Sequence, residues 1–101
     1  MSPEDREFVI NMANDGADLQ LQLIEENFLG HEAFDPLPTD EESLQAAWES
    51  FCYLEDEPWW HLLESVVDEL DEEDHESAKE LLVETFTARI MEGLRAHLGL
   101  G

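Results

Sequence analysis

From Ala78 to Leu98 the apolar residues Ala78, Leu81, Leu82, Phe86, Ile90, Leu94 and Leu98, with Thr85 among them, recur three or four positions apart. A period of that length, held for about six turns, describes one face of a long α-helix, because a strand would bring every second side chain to the same face. A stripe so long needs more than one neighbour to cover it, so this helix is expected to be the spine of the core. Gly93 inside it costs about 1 kcal/mol against alanine, which packing can absorb, and Gly99 to Gly101 end it.

The rest of the chain supplies candidates for those neighbours. Ser2-Pro3-Glu4-Asp5 reads as a helix start, with a hydroxyl to cap, a proline tolerated in the first turn and acids placed against the helix dipole. Phe8, Val9, Met12 and Ala13, then Ala17, Leu21, Ile24 and Phe28, continue a helical face. Asn14-Asp15-Gly16 interrupts it, either dividing two helices or sitting inside one; a single helix with a weak point at Gly16 is the expectation. Gly30 to Pro38 reads as a helix stop and a loop that lays Phe34 on the core.

Thr39-Asp40-Glu41-Glu42 has the form of a capping box, with Thr39 and Glu42 as the reciprocal pair, and the helix after it buries Leu44, Ala47, Trp48 and Phe51. Pro58 is expected to open a third helix with Trp59, Leu63, Val66, Val67 and Leu70 inward, Trp60 and Leu62 on opposite flanks and His61 outward. Asp71 to Glu76 then connects to the last helix. No strand alternation, repeat or low-complexity linker competes. The expectation is all-α: one domain over residues 1–101, a compact bundle of four to five helices with the C-terminal helix central.

Charge opposes this fold. The chain holds 27 Asp and Glu against four Lys and Arg, a formal net charge of −23. Chains so charged are often disordered, but Leu, Ile, Val and Phe number 27 of 101 residues, above the roughly 20% below which a core fails. The charge is uneven. Residues 1–77 carry 24 acids and one base, Arg6, whereas from Ala78 onward Lys79, Arg89 and Arg95 balance Glu80, Glu84 and Glu92. Acidification as an adaptation to salt would decorate the last helix too, so the asymmetry favours a specific acidic surface.

Nucleic acid and membrane surfaces are anionic, so Coulomb repulsion makes either a poor direct partner and neither is expected. No apolar run approaches the roughly 18 residues needed to cross a bilayer and no signal-peptide pattern opens the chain, so a soluble, cytoplasmic protein is expected. The single Cys52 excludes an internal disulfide and suits a reducing compartment. His31, His61, His75 and His97 are scattered and no phosphate-binding glycine loop occurs, so no enzyme is expected, and no cofactor. Glu72 with His75, and His61 with Glu64, have the i, i+3 spacing of di-metal bundles, but His61 faces outward and His75 lies at a helix start, so no metal site is expected.

What remains is a strongly basic partner. Duplex DNA carries one charge per about 1.7 Å, so 23 charges match roughly 40 Å of duplex, and a chain of this length folds to a radius of gyration of about 13 Å, a comparable overall length. The sequence therefore suggests a non-catalytic nucleic-acid mimic that occupies the DNA- or RNA-binding groove of a basic protein or complex, by analogy with phage and mobile-element proteins that oppose restriction or CRISPR systems. The alternative is an immunity protein, antitoxin or chaperone that covers a basic enzyme without imitating phosphate geometry. The expected contact residues are Glu41, Glu42, Glu55, Asp56, Glu57, Asp68, Asp71, Glu72, Glu73 and Asp74, with Trp60, and Tyr53 beside it, as apolar anchors. Monomer and dimer are both open.

Overall fold

In the computed structural model of the protein, which describes residues 1–100, the Ser2 hydroxyl accepts the Asp5 backbone N–H at 3.1 Å and Pro3 stands in the first turn of α1 (Pro3–Gln22). Gly16 does not interrupt α1. Its missing side chain leaves room for Leu62 of the third helix, whose Cδ2 would stand 2.7 Å from an added Cβ. Gly16 is thus a point of close approach between helices.

The expectation that the α-helical face runs on to Phe28 is corrected. The α-helix stops at Gln22, and Glu25–Leu29 form a π-helical turn. The Asn27 side-chain amide donates to the Gln20 carbonyl at 3.0 Å, and the Gly30 N–H reaches back five residues to Glu25 at 3.0 Å. A side chain inserted into the backbone ladder is a recognised cause of such a break. Phe28 still arrives fully buried, and after a short 3₁₀ turn (Glu32–Phe34) so does Phe34. Burying one phenylalanine contributes about 1.5–3 kcal/mol, enough to offset the ordering of one or two loop residues.

α2 (Glu41–Leu54) buries the four predicted residues, Leu44, Ala47, Trp48 and Phe51, but its cap is displaced from the expected Thr39–Glu42 pair. The Asp40 carboxylate accepts the Ser43 N–H at 2.7 Å, while the Ser43 hydroxyl accepts the N–H groups of Asp40 and Thr39 at 3.1 and 3.0 Å. A carboxylate is the stronger acceptor for an orphan N–H, so the box closes one residue later. Those bonds hold the Asp40 carboxyl below its usual range.

Pro58 does not open the third helix either. A tight turn comes first, and α3 spans Trp60–Asp68 with no side-chain cap. Leu63 and Val66 are buried, Trp59, Val67 and Leu70 are half-buried, and His61 points outward. A 3₁₀ turn (Glu72–Asp74) leads into α4 (His75–Leu98), which Gly99 terminates at φ 73°. α4 buries Ala78, Leu82, Phe86, Ile90, Met91 and Leu94, with Leu81, Thr85 and Leu98 partly covered.

The bundle is all-α, with no strand among the described residues, and α4 is its spine. α1 lies along α4 in parallel. The Met1 amino group is 3.3 Å from Asp74, Arg89 donates to Asp18 at 2.8 Å, and Leu21 covers Gly93, so the contacts advance together along both helices. α2 and the preceding loop meet α4 through aromatic rings: Trp48 stacks on Phe51 at 5.6 Å, Phe28 lies 5.1 Å from Phe51, and Trp48 and Trp59 both reach Phe86 at about 6.5 Å. No helix among the described residues is long and apolar enough to cross a membrane.

Candidate partner-binding surface

Acids gather at the ends of the helices because carboxylates are favoured near helix N-termini and in the polar turns between helices. The eleven expected contact residues fall into three groups. Glu41 and Glu42 open α2, Glu55, Asp56 and Glu57 with Trp60 bridge α2 to α3, and Asp68 through Asp74 bridge α3 to α4. Asp74 precedes α4, whereas Glu41 reaches Arg95 near its far end, so the first and last groups stand about 30 Å apart along that axis at 1.5 Å per residue.

Three of these carboxylates have partners within the fold. Glu41 accepts the Arg95 Nε–H at 2.8 Å, which lowers its carboxyl pKa and raises that of the guanidinium. Asp74 pairs with the Met1 amino group. Glu55 Oε1 lies 2.7 Å from His31 Nε2, whose other ring nitrogen, Nδ1, accepts the Ala33 N–H at 3.0 Å. That second bond assigns the imidazole proton to Nε2, which donates to Glu55 and ties the loop to the end of α2. Glu42, Asp56, Glu57, Asp68, Asp71, Glu72 and Glu73 are exposed.

The middle group has the most defined geometry. Asp56 and Glu57 adopt φ values of 51° and 60°, the left-handed region that costs a side-chain-bearing residue about 1–2 kcal/mol. The turn is held by the Glu57 N–H donating to Cys52 at 3.2 Å and the Trp60 N–H donating to Glu57 at 2.9 Å. The turn borders a hollow of about 590 Å³ whose lining includes Glu55, Asp56 and Glu57 together with Glu26, His31 and Trp60. Glu26 comes from the π-helical turn; its place in the lining of the same hollow depends on a chain reversal that local sequence does not encode.

On the other side of Trp60 lies a second hollow of about 370 Å³ with a mostly apolar lining. Leu63 and Val67 line it, flanked by Glu64, Glu76 and Lys79. Trp60 belongs to both hollows and is 46% exposed. Tyr53 is 84% exposed, in a separate shallow depression with Leu54 on α2, so it does not join Trp60.

Among the described residues no three His, Cys, Asp or Glu side chains stand close enough to share a metal ion. Burial, helped by Glu49 and Glu57, pushes the Cys52 thiol up to about 12, which keeps it protonated and unreactive near neutral pH. No protein-family model, curated protein or solved structure matches this chain.

Proposed function

We propose that this protein is a non-catalytic, cytoplasmic inhibitor that imitates nucleic acid and occupies the basic DNA- or RNA-binding groove of a partner protein, in the manner of anti-restriction and anti-CRISPR proteins. One observation carries the reading. A net charge of −23 is spread over a molecule 42 Å long and 25 by 22 Å across, about one charge per 1.8 Å of long axis. Duplex DNA carries one per about 1.7 Å. The first and last acidic groups stand about 30 Å apart along α4 at 1.5 Å per residue, and two of the four basic side chains, Arg89 and Arg95, are engaged with Asp18 and Glu41.

A groove evolved for phosphates would meet the part of this charge that one face presents, and its carboxylates would release the same counterions. Association is then steered at long range, with the attraction decaying over about 8 Å at physiological salt. The test is affinity capture from host lysate with the protein as bait, eluting parallel samples with excess duplex DNA or buffer. Release of a nucleic-acid-binding protein by DNA is the expected result; a sole partner that DNA cannot displace refutes the reading. Reversal of Asp71, Glu72 and Glu73 to lysine should slow association while leaving helicity intact. Asp74 is omitted because it holds the amino terminus.

The half-exposed Trp60 favours one alternative: an acidic module, such as an immunity protein, antitoxin or chaperone, that covers a basic enzyme surface without imitating phosphate geometry. Competition with DNA separates the two.

A further inference from the structure

Trp60 lines two open hollows of different character, one with the four carboxylate residues Glu26, Glu55, Asp56 and Glu57 in a largely polar lining and one whose exposed lining is mostly apolar. An anionic surface that only repeated the charge of a duplex would have no use for the second. We propose that the two hollows form one bipartite docking site for a cationic, aliphatic-bearing segment of the partner protein, a stretch in which Arg or Lys lies within a few residues of Leu, Ile, Val or Met. The inference rests on the partner being a basic protein, as in the preceding reading.

The occupant follows from complementarity. A guanidinium in the first hollow meets the lining residues Asp56 and Glu57, whose backbone forms the left-handed turn, and the Trp60 indole, a ring type that attracts cations. An aliphatic side chain in the second is covered by Leu63, Val67 and the same indole. Glu64 and Glu76 at that rim outnumber the single cation there, Lys79, and favour positive charge flanking the aliphatic residue. Tryptophan at the centre of such a patch is the residue type that most often dominates interface energy.

The probes are three peptides of equal length titrated into the ¹⁵N-labelled full chain: one with two arginines followed by two leucines, one with the leucines changed to serine, and one with the arginines changed to glutamine. The expected result is shifts centred on the Trp60 indole N–H, with the arginine–leucine peptide about tenfold tighter than the arginine–serine peptide. In Trp60→Ala the two arginine peptides should bind equally weakly, whereas in Tyr53→Ala the tenfold preference should remain. Asp56→Asn with Glu57→Gln should lower affinity for both arginine peptides and leave the leucine preference. Equal affinity of the two arginine peptides for the native chain, or shifts centred on residues 71–74, overturns the site. If a captured nucleic-acid-binding protein is displaced by DNA yet binds Trp60→Ala as tightly as the native chain, the docking site fails and the mimicry stands. If the leucine preference holds but DNA displaces no captured partner, the mimicry fails and the docking site stands.

Discussion

Replacing Gly93 with alanine sets two effects of known size against each other. Alanine in a helix interior is favoured over glycine by about 1 kcal/mol. At this position, however, the new Cβ would stand 2.5 and 2.7 Å from the two Leu21 methyl carbons and 3.1 Å from Leu21 Cγ, so the whole isobutyl group must move. Overpacking of that kind costs about 1–3 kcal/mol, and the expected net change runs from zero to a loss of about 2 kcal/mol. Gly16→Ala is the control, since there only one methyl of Leu62 is too close, at 2.7 Å, and its next atoms lie at 3.5 and 3.6 Å. A rotation of Leu62 relieves it, leaving that variant near neutral or more stable. Urea unfolding followed by far-ultraviolet circular dichroism measures both. The decisive comparison is Gly93→Ala in a Leu21→Ala background, where the obstruction is gone and alanine should stabilise by about 1 kcal/mol, giving a coupling of roughly 1–3 kcal/mol. If Gly93→Ala stabilises the native chain and the Leu21→Ala chain by the same amount, the close packing of α1 on α4 is wrong.

Three further outcomes are expected. Asp40→Ala and Ser43→Ala should each cost about 1 kcal/mol in urea unfolding while Thr39→Ala costs little, and the reverse order would restore Thr39 as the cap. Cys52 should react with iodoacetamide at pH 8 roughly a hundredfold or more slowly in the folded chain than in urea, since its thiol is raised from 9.0 to about 12; equal rates would place it in solvent. The carboxyls of Asp18 and Glu41 are lowered from 3.8 and 4.5 by Arg89 and Arg95, so their contribution is complete above those values and disappears as pH falls through the lower folded ones. The urea-midpoint difference between native chain and Asp18→Asn should therefore be full well above pH 3.8 and shrink as the pH falls below it; a difference that grows on acidification contradicts the pairing.

Helix faces were legible because burial acts through a fixed period. Leu44, Ala47, Trp48 and Phe51 needed only their spacing to be placed inward, as did Leu82, Phe86, Ile90 and Leu94. Helix ends were less legible, because several local solutions compete within a residue or two. Asp40 displaced Thr39, Asn27 broke the ladder ahead of Phe28, and the chain turned through Asp56 and Glu57 before α3 could begin. At the surface, the acids and Trp60 could be named from composition and flank position. What composition does not encode is which acids share a hollow: Glu26 lines the same hollow as Glu57 only through the tertiary path of the chain, and Glu41 is matched to Arg95 only because α2 meets the far end of α4.

The parallel course of α1 and α4 has a consequence for how the protein is made. Ribosomes extend a chain at about 5–20 residues per second, so α1 is complete roughly 4–15 s before the last turn of its principal partner exists. Closing the intervening span of about 50 residues then costs on the order of 3–4 kcal/mol in chain entropy before any α1–α4 contact can form. During that wait α1 offers neighbouring chains the apolar face it will later bury, where Val9, Ala13 and Ala17 are small. Residues 1–77, all made before the body of α4, carry the entire net charge of −23. The nascent segment therefore repels its neighbours while its binding face stands open, and the same carboxylates that oppose folding protect the chain until its spine arrives.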